Sequence, residues 1–332
     1  MIISRTPFRI SFFGGGTDYP IWYNENEGAV LATTIDKYCY ITCRYLPPFF
    51  DHSYRIIYSK IEHKKSIRDI QHPAVRETVR FMGIDSALEI HHDADLPARS
   101  GLGSSSSFTV GLLNTLYALK GKMTEKMQLA KDAIYIEQEM IKENVGSQDQ
   151  IMAAFGGFRL VKFSRGSNIE VLPVPVQKSK LEELNRCLML FFTGFSRTAS
   201  KIAGAQIKNT PKMHTELKKM HDLVTESVAI LNGNGSLLEF GKLLHETWCL
   251  KKTLSNKITN SYINEIYEAA RSSGALGGKL LGAGGGGFLV LFAEPKNQKA
   301  IKEKLCQLLY VPFQFESSGS QIIFYQPNGF YE

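Results

Sequence analysis

Pro97-Ala98-Arg99-Ser100-Gly101-Leu102-Gly103-Ser104-Ser105-Ser106-Ser107 runs directly into Phe108-Thr109-Val110-Gly111-Leu112-Leu113-Asn114-Thr115-Leu116-Tyr117. In the second part Phe108, Leu112, Leu113 and Leu116 share one helical stripe, so the spacing predicts a helix that begins within the serine run. The first part has two glycines, which let backbone approach a ligand closely, and hydroxyls at the helix mouth. Unpaired N–H groups and the positive end of the helix dipole make such a mouth an anion site. Gly-Ser runs also serve as linkers, and serine is a common cap. A linker, however, is seldom joined to a strongly apolar helix on one side, with the strand-like Leu88-Glu89-Ile90 on the other. The stretch reads as a phosphate-holding loop.

Two further glycine-rich segments, PFRISFFGGGTDYP at 7–20 and KLLGAGGGGFL at 279–289, flank it at a distance. None of the three fits a Walker A loop, because the lysine of G-x-x-x-x-G-K-[ST] is missing, and G-x-G-x-x-G is unfulfilled at 101–106. No H-R-D or D-F-G set marks a protein kinase. Taken in order, the three segments resemble the signature motifs of the GHMP kinases, the family of galactokinase, homoserine kinase, mevalonate kinase and phosphomevalonate kinase. The resemblance extends from about residue 4 to about residue 293.

It implies a two-domain α+β fold: an ATP-binding, ribosomal protein S5 domain 2-like N-terminal domain at 1–178 and a ferredoxin-like α+β C-terminal domain at 179–332. The first segment has Gly15-Gly16 before Thr17-Asp18-Tyr19, where galactokinases have Glu-His. With Gly28-Ala29-Val30-Leu31 and Ile35-Asp36-Lys37-Tyr38, this form resembles the D-glycero-D-manno-heptose 7-phosphate kinase branch. The implied reaction transfers the γ-phosphate of ATP to the anomeric C1 hydroxyl of D-glycero-α-D-manno-heptose 7-phosphate. Its 1,7-bisphosphate product would lead towards nucleotide-activated heptose for bacterial surface glycans. Two alternatives stand beside it: another C1 sugar kinase of fucose or mannose type, and a non-catalytic sugar- and ATP-binding regulator.

Bulk properties agree. A chain of 332 residues suits two domains better than one core. Hydrophobic content of 43% and charged content of 21% are those of an ordinary soluble globular protein. No apolar run reaches membrane-spanning length and no secretory pattern opens the chain. Five scattered cysteines without a C-x-x-C pair suit reduced thiols, and so a cytoplasmic protein. The net charge of +7 comes without a nucleic-acid-binding motif, so neither nucleic acid nor membrane is expected as a partner. The partner expected is a phosphosugar, and a homodimer is left open.

Along the chain, strands are predicted over 1–13, 29–45, 54–58, 88–95, 158–163, 169–176, 187–192 and 321–325, with a strand–loop–strand over 278–292. Helices are predicted over 74–82, 105–120, 124–144, 199–208, 211–231, 236–252, 259–272 and 296–309. The composition shift at Pro173–Lys180 is the candidate domain boundary.

Phosphoryl transfer needs a cradle for the triphosphate, a divalent cation and a group to orient or deprotonate the acceptor. For the cradle, backbone N–H groups of Gly101, Leu102, Gly103, Ser104, Ser105 and Ser106 can surround the phosphates. For the cation, expected to be Mg²⁺, the helix over 124–144 offers Glu137 and Glu139. Glu137 lies within the apolar stripe of Ala133, Ile134 and Ile141, whereas Glu139 falls on the wetter face. An inward carboxylate is costly unless paired, hydrogen-bonded or metal-bound. The resemblance makes Glu137 the metal ligand and Ser105 its hydroxyl partner, with Ser104 the close competitor.

It also makes Asp149, in Gly146-Ser147-Gln148-Asp149-Gln150, the general base, although Asp149 could simply cap a short helix. Arg9 matches a family arginine beside that Asp, where it would hold Asp149 as the carboxylate and stabilise the attacking oxygen. For the sugar, Asp18 matches a hydroxyl-binding acid, with Gly16, Thr17 and Asp36 as companions. Gly284 and Gly285 let the third segment pack near the phosphate loop and the substrate. The acceptor's phosphate is assigned to Arg197, with Lys201 one helical turn later, and Arg99 and Lys279 are alternatives. His91-His92-Asp93-Ala94-Asp95 looks like a metal cluster but reads better as an exposed strand end.

Overall fold

The frame of the molecule is one long hairpin. In the computed structural model, β1 (Ile2–Phe13) lies antiparallel along β2 (Gly28–Tyr45), the two joined by the short helix α1 (Pro20–Tyr23). The β-branched and aromatic content of both segments favours extended backbone. The structure describes all residues except 99, 167, 195–198, 234 and 328–332, and the backbone alone of 199 and 200. Next come β3 (Tyr54–Ile57), β4 (Ile61–Lys64), α2 (Pro73–Met82) and β5 (Leu88–Ala94). Gly83 closes α2 in the left-handed conformation, the role its position after the last apolar turn predicts.

Then follow α3 (Ser104–Leu119), α4 (Lys126–Tyr135), α5 (Gln148–Phe155), β6 (Phe158–Ser164) and β7 (Asn168–Pro173). The second half holds α6 (Lys178–Cys187), β8 (Leu188–Phe192), α7 (Ala199–Asn209), α8 (His214–Asn232), α9 (Leu237–Thr253) and α10 (Ser261–Ser272). It ends with β9 (Gly277–Leu280), β10 (Phe288–Phe292), α11 (Pro295–Lys304), β11 (Leu309–Tyr310), β12 (Phe315–Glu316) and β13 (Gln321–Tyr325).

Among the described residues these strands form two sheets. The larger has the order β13-β1-β2-β5-β3-β4, with β6 and β12 also on β2 and β7 on β6; the smaller runs β11-β8-β10-β9. Only β3–β5 pairs in parallel in the larger sheet, and the smaller is antiparallel throughout. This is the α+β arrangement expected of hairpins mixed with helices.

Four sequence expectations are corrected. The helix over 124–144 ends early: α4 passes into one π-helical turn over Ile136–Met140, and Lys142 takes a positive φ of 62°. The chain must leave the helix there to bring Gly146 against Asp18, where a Cβ would lie 1.9 Å from Asp18 Oδ2. The helix over 296–309 stops at Lys304, because Leu309–Tyr310 pairs with β8 instead. The stretch 173–180, read as a boundary, already enters a helix at its end, because α6 starts at Lys178. Finally, β12 and β13, which sequence allots to the second half, return to the larger sheet and pair with β2 and β1.

An aromatic cluster joins the halves. Phe12 and Phe13 of β1 meet Phe240 of α9 edge-on, with ring centroids 5.4 and 5.0 Å apart, and Phe240 also faces Phe292 of β10. All four are fully buried. Phe240→Ala should therefore cost about 3–5 kcal/mol, read as a lower urea midpoint at unchanged slope. A loss below about 1 kcal/mol would show that the halves are not joined through this cluster.

Candidate active site

The phosphate loop takes its shape from glycine. Gly101 and Gly103 have φ of 86° and 76°, and α3 starts directly after them with no side chain capping its first turn. The first residues of this helix, Ser104, Ser105 and Ser106, line the cleft, where a helix N-terminus favours an anion. The third glycine segment packs on this loop, as sequence predicts. A Cβ on Gly282 would lie 2.5 Å from Gly101 Cα, and one on Gly287 would lie 2.4 Å from Ser100 O. Phe288 N donates to Ser100 O at 3.0 Å. Between the two segments lies a cavity of about 420 Å³ lined by both halves.

Arg9 and Asp149 meet in this cavity. Arg9 is 4% exposed, yet its Nε and Nη2 donate to both Asp149 carboxylate oxygens at 2.8 and 2.7 Å. Its Nη1 donates to Gly101 O at 2.7 Å, and its backbone N donates to Leu102 O at 3.0 Å. Asp149 sits in the first turn of α5, but the N-cap is Ser147 and no side chain caps this helix, so the capping interpretation does not hold. Asp18 also lines the cavity, its Oδ1 accepting from Gly16 N at 2.9 Å. Burial raises the Asp18 carboxyl above its ordinary range, and the nearby Asp149 charge adds to this.

Glu137 and Glu139 separate as helical geometry predicts: Glu137 is buried and Glu139 exposed. Glu137 Oε2 accepts from Ser106 Oγ at 2.9 Å and from Gln150 Nε2. Its Oε1 has no hydrogen-bond partner among the described residues. Burial pushes this carboxyl up to about 7, against the lowering effect of neighbouring hydroxyls. An orphaned, buried carboxylate oxygen suits a hard divalent cation, and the serine that joins Glu137 to the cavity is Ser106. Ser105, the hydroxyl expected there, lines the cavity but makes no hydrogen bond to Glu137 among the described residues.

Other expected residues lie elsewhere. The Leu102 side chain is fully buried in the core. Thr17 is buried with its hydroxyl on Gly14 O, Ala29 O and Ala29 N, so it ties the first glycine loop to β2. Asp36 accepts from Gln314 N and Lys37 Nζ and fastens β2 to the segment before β12. Gly284 and Gly285 pack on Ile258, whose carbonyl accepts from Gly285 N at 2.9 Å; Gly282 and Ala283 line the cavity instead. Arg197 and Arg99 lie outside the described residues, and Lys201 is exposed. In the histidine-rich strand end, His91 bonds Glu89 and His92 meets the Phe108 ring edge-on. No group of three metal-ligating side chains occurs among the described residues.

Sequence reasoning missed Lys251, which lines the cavity beside Lys279. Its signal was the one that found Glu137: a charged residue on a buried helical stripe, here Phe240, Leu244, Trp248 and Lys251.

A glycine-built anion cradle, a buried carboxylate behind it and an Arg–Asp pair facing it define a small-molecule phosphotransferase. Comparison with known proteins gives the class its name. The GHMP kinases N terminal domain matches residues 69–157 and the GHMP kinases C terminal domain matches 226–311, together more than half of the chain. The chain belongs to the GHMP kinase family and is an ATP-dependent sugar kinase acting on a hydroxyl group. It is 29% identical over 96% of its length, and 97% of the relative's, to a D-glycero-alpha-D-manno-heptose 7-phosphate kinase of Campylobacter jejuni. It is 26% identical over 90% of its length to a bifunctional fucokinase/GDP-fucose pyrophosphorylase of Arabidopsis thaliana, of which it spans 30%. A solved D-glycero-D-manno-heptose 1-phosphate kinase from Bacteroides thetaiotaomicron shares the fold, with a TM-score of 0.71 at 23% identity, covering 96% of this chain and 98% of that one.

Gly282→Ala would force a side chain into a left-handed residue pressed on Gly101. Strain of about 1–3 kcal/mol should weaken ATP binding roughly 5- to 100-fold, measured by calorimetry. Gly235→Ala, where a Cβ meets nothing within 4 Å, should bind ATP normally. Equal affinity in both variants would show that the contact does not shape the cradle.

Proposed function

We propose that the protein phosphorylates the anomeric C1 hydroxyl of D-glycero-α-D-manno-heptose 7-phosphate with ATP. The observation that carries the chemistry is the two-point Arg9–Asp149 pair at the mouth of α3. Arg9 fixes both carboxylate oxygens and ties them to the phosphate loop through Gly101 O. Asp149 is thus held where an acceptor hydroxyl can donate to it, and it takes that proton as the oxygen attacks. Because the transition state is loose, orientation of the hydroxyl carries much of the rate. Asp18, beside Gly16, holds sugar hydroxyls. The first α3 turn and the glycines at 101 and 103 hold the nucleotide phosphates. Glu137, with Ser106 or Ser105, would hold Mg²⁺, which when bound neutralises triphosphate charge.

The heptose phosphate rests on the resemblance of the GGGTD segment and on the Campylobacter relative, aligned end to end. The second reading, a fucose-type C1 kinase, is favoured by the match to the Arabidopsis fucokinase. A coupled assay of ADP release decides between them, with heptose 7-phosphate, the unphosphorylated heptose, fucose, mannose, galactose and mevalonate as acceptors. Selective turnover of heptose 7-phosphate is expected, and turnover of fucose alone would replace it with the second reading. Asp149→Asn should lower kcat by about 10²–10⁴-fold while the acceptor still binds. Unchanged turnover would remove Asp149 from the mechanism and favour a different base.

A further inference from the structure

Two lysines are buried in the cleft. Lys251 and Lys279 are 6% and 2% exposed, and both line the cavity. Lys251 Nζ donates to Leu280 O at 2.9 Å and to Gly282 O at 2.5 Å, and Lys279 Nζ donates to Phe12 O at 2.9 Å. An ammonium has three donors, so one N–H of Lys251 and two of Lys279 are left for the cavity. Neither lysine has a carboxylate within ion-pair distance among the described residues. The charged and titratable groups lining the same space are Arg9, Asp18, Tyr19, Glu143 and Asp149. Of these, Arg9 and Asp149 satisfy each other, and burial disfavours the charge of Asp18. An ammonium buried without a counter-charge costs several kcal/mol.

A third polar group waits in the same place. Ser11 is 5% exposed and lines the cavity, and its Oγ has no hydrogen-bond partner among the described residues. It precedes Phe12, whose carbonyl holds Lys279. The site also lies beside the nucleotide cradle, because Gly282, whose carbonyl takes Lys251, is the residue pressed on Gly101. The phosphate loop carries no lysine of its own.

We propose that Lys251, Lys279 and Ser11 form a buried oxyanion site in the cleft that takes a phosphoryl group of a substrate. This rests on the kinase reading. Two substrates bring such a group: the nucleotide, through its γ-phosphoryl, and the acceptor, through its phosphate ester. The anion supplies the charge that the pair lacks, and the free protein holds the lysines with reduced affinity for protons. Burial, then repulsion from Arg9, pushes Lys251 down to about 7, and burial holds Lys279 well below its ordinary value. A bound dianion raises both, so binding above pH 7 takes protons up from solution.

Calorimetry at pH 8 in buffers of different ionisation enthalpy reads this directly. The probes are a non-hydrolysable ATP analogue with Mg²⁺, heptose 7-phosphate and the unphosphorylated heptose. Wild type should take up protons with at least one phosphorylated probe and none with the free sugar. Lys279→Met should reduce that uptake, as should Lys251→Met, whose melting temperature is checked because it also releases two carbonyls of the glycine loop. A fall of at least tenfold in kcat/KM for the sugar phosphate, with the free sugar little changed, assigns the site to the acceptor's phosphate. An equal fall for both acceptors, with weaker binding of the analogue, assigns it to the γ-phosphoryl. Absence of proton uptake by the wild-type protein overturns the proposal and needs no variant. Uptake without turnover of any acceptor would leave the site standing and remove the kinase reading.

Discussion

Arg9 is the residue on which the cleft turns. It leaves the middle of β1, the strand shared by β2 and β13, so its backbone is fixed by the larger sheet. From there it makes four polar contacts, two to Asp149, one to Gly101 O and one from its own N–H to Leu102 O. A buried guanidinium is costly unless its donors are met, and the groups that meet them belong to two parts of the cleft, the glycine loop before α3 and α5. That loop and the Asp149 carboxylate are therefore held in register by one residue. Specificity of geometry, more than net stability, is what such a pair contributes.

The second constraint is steric. Gly101 and Gly282 approach where no side chain fits on either, and Gly287 does the same on Ser100. These contacts let backbone from the smaller sheet close on the loop before α3, and the Phe12–Phe13–Phe240 cluster anchors the approach from below. Polar groups of the resulting space are left incompletely satisfied, Ser11 Oγ and the amine donors of Lys251 and Lys279, and Glu137 Oε1 behind the lining Ser106 is another. Buried polar groups are ordinarily paired. Their concentration around one cavity is what supports the proposed cation on the Glu137 side and the proposed oxyanion on the lysine side.

Much of this was legible in the sequence because glycine and helical periodicity leave direct marks. The glycine turn that opens α3, the inward turn of Glu137 over Glu139, and the packing of the third glycine segment on the mouth of α3 all followed from residue type and spacing. What failed were tertiary matters. Thr17 and Asp36 are polar residues beside a motif, and only the fold shows that their side chains close backbone contacts. Gly284 and Gly285 pack on Ile258, while Gly282 and Ala283 line the cavity. The π-helical turn over Ile136–Met140 has no local signal in the sequence, nor has the approach of Gly146 to Asp18 that follows it. The return of β13 to β1 joins residues more than 300 apart in sequence, beyond any local pattern. Lys251 was legible in principle, because a lysine on an apolar stripe asks the same question as a glutamate there.

The account stands on Arg9 and Asp149 acting as one unit. A double-mutant cycle on kcat/KM with Arg9→Met, Asp149→Asn and the pair tests this most directly. If Arg9 works by holding Asp149, the double variant should be no slower than the slower single variant, to within about threefold. Losses that multiply, with each single variant folded, would show that the two residues contribute independently and would contradict the account.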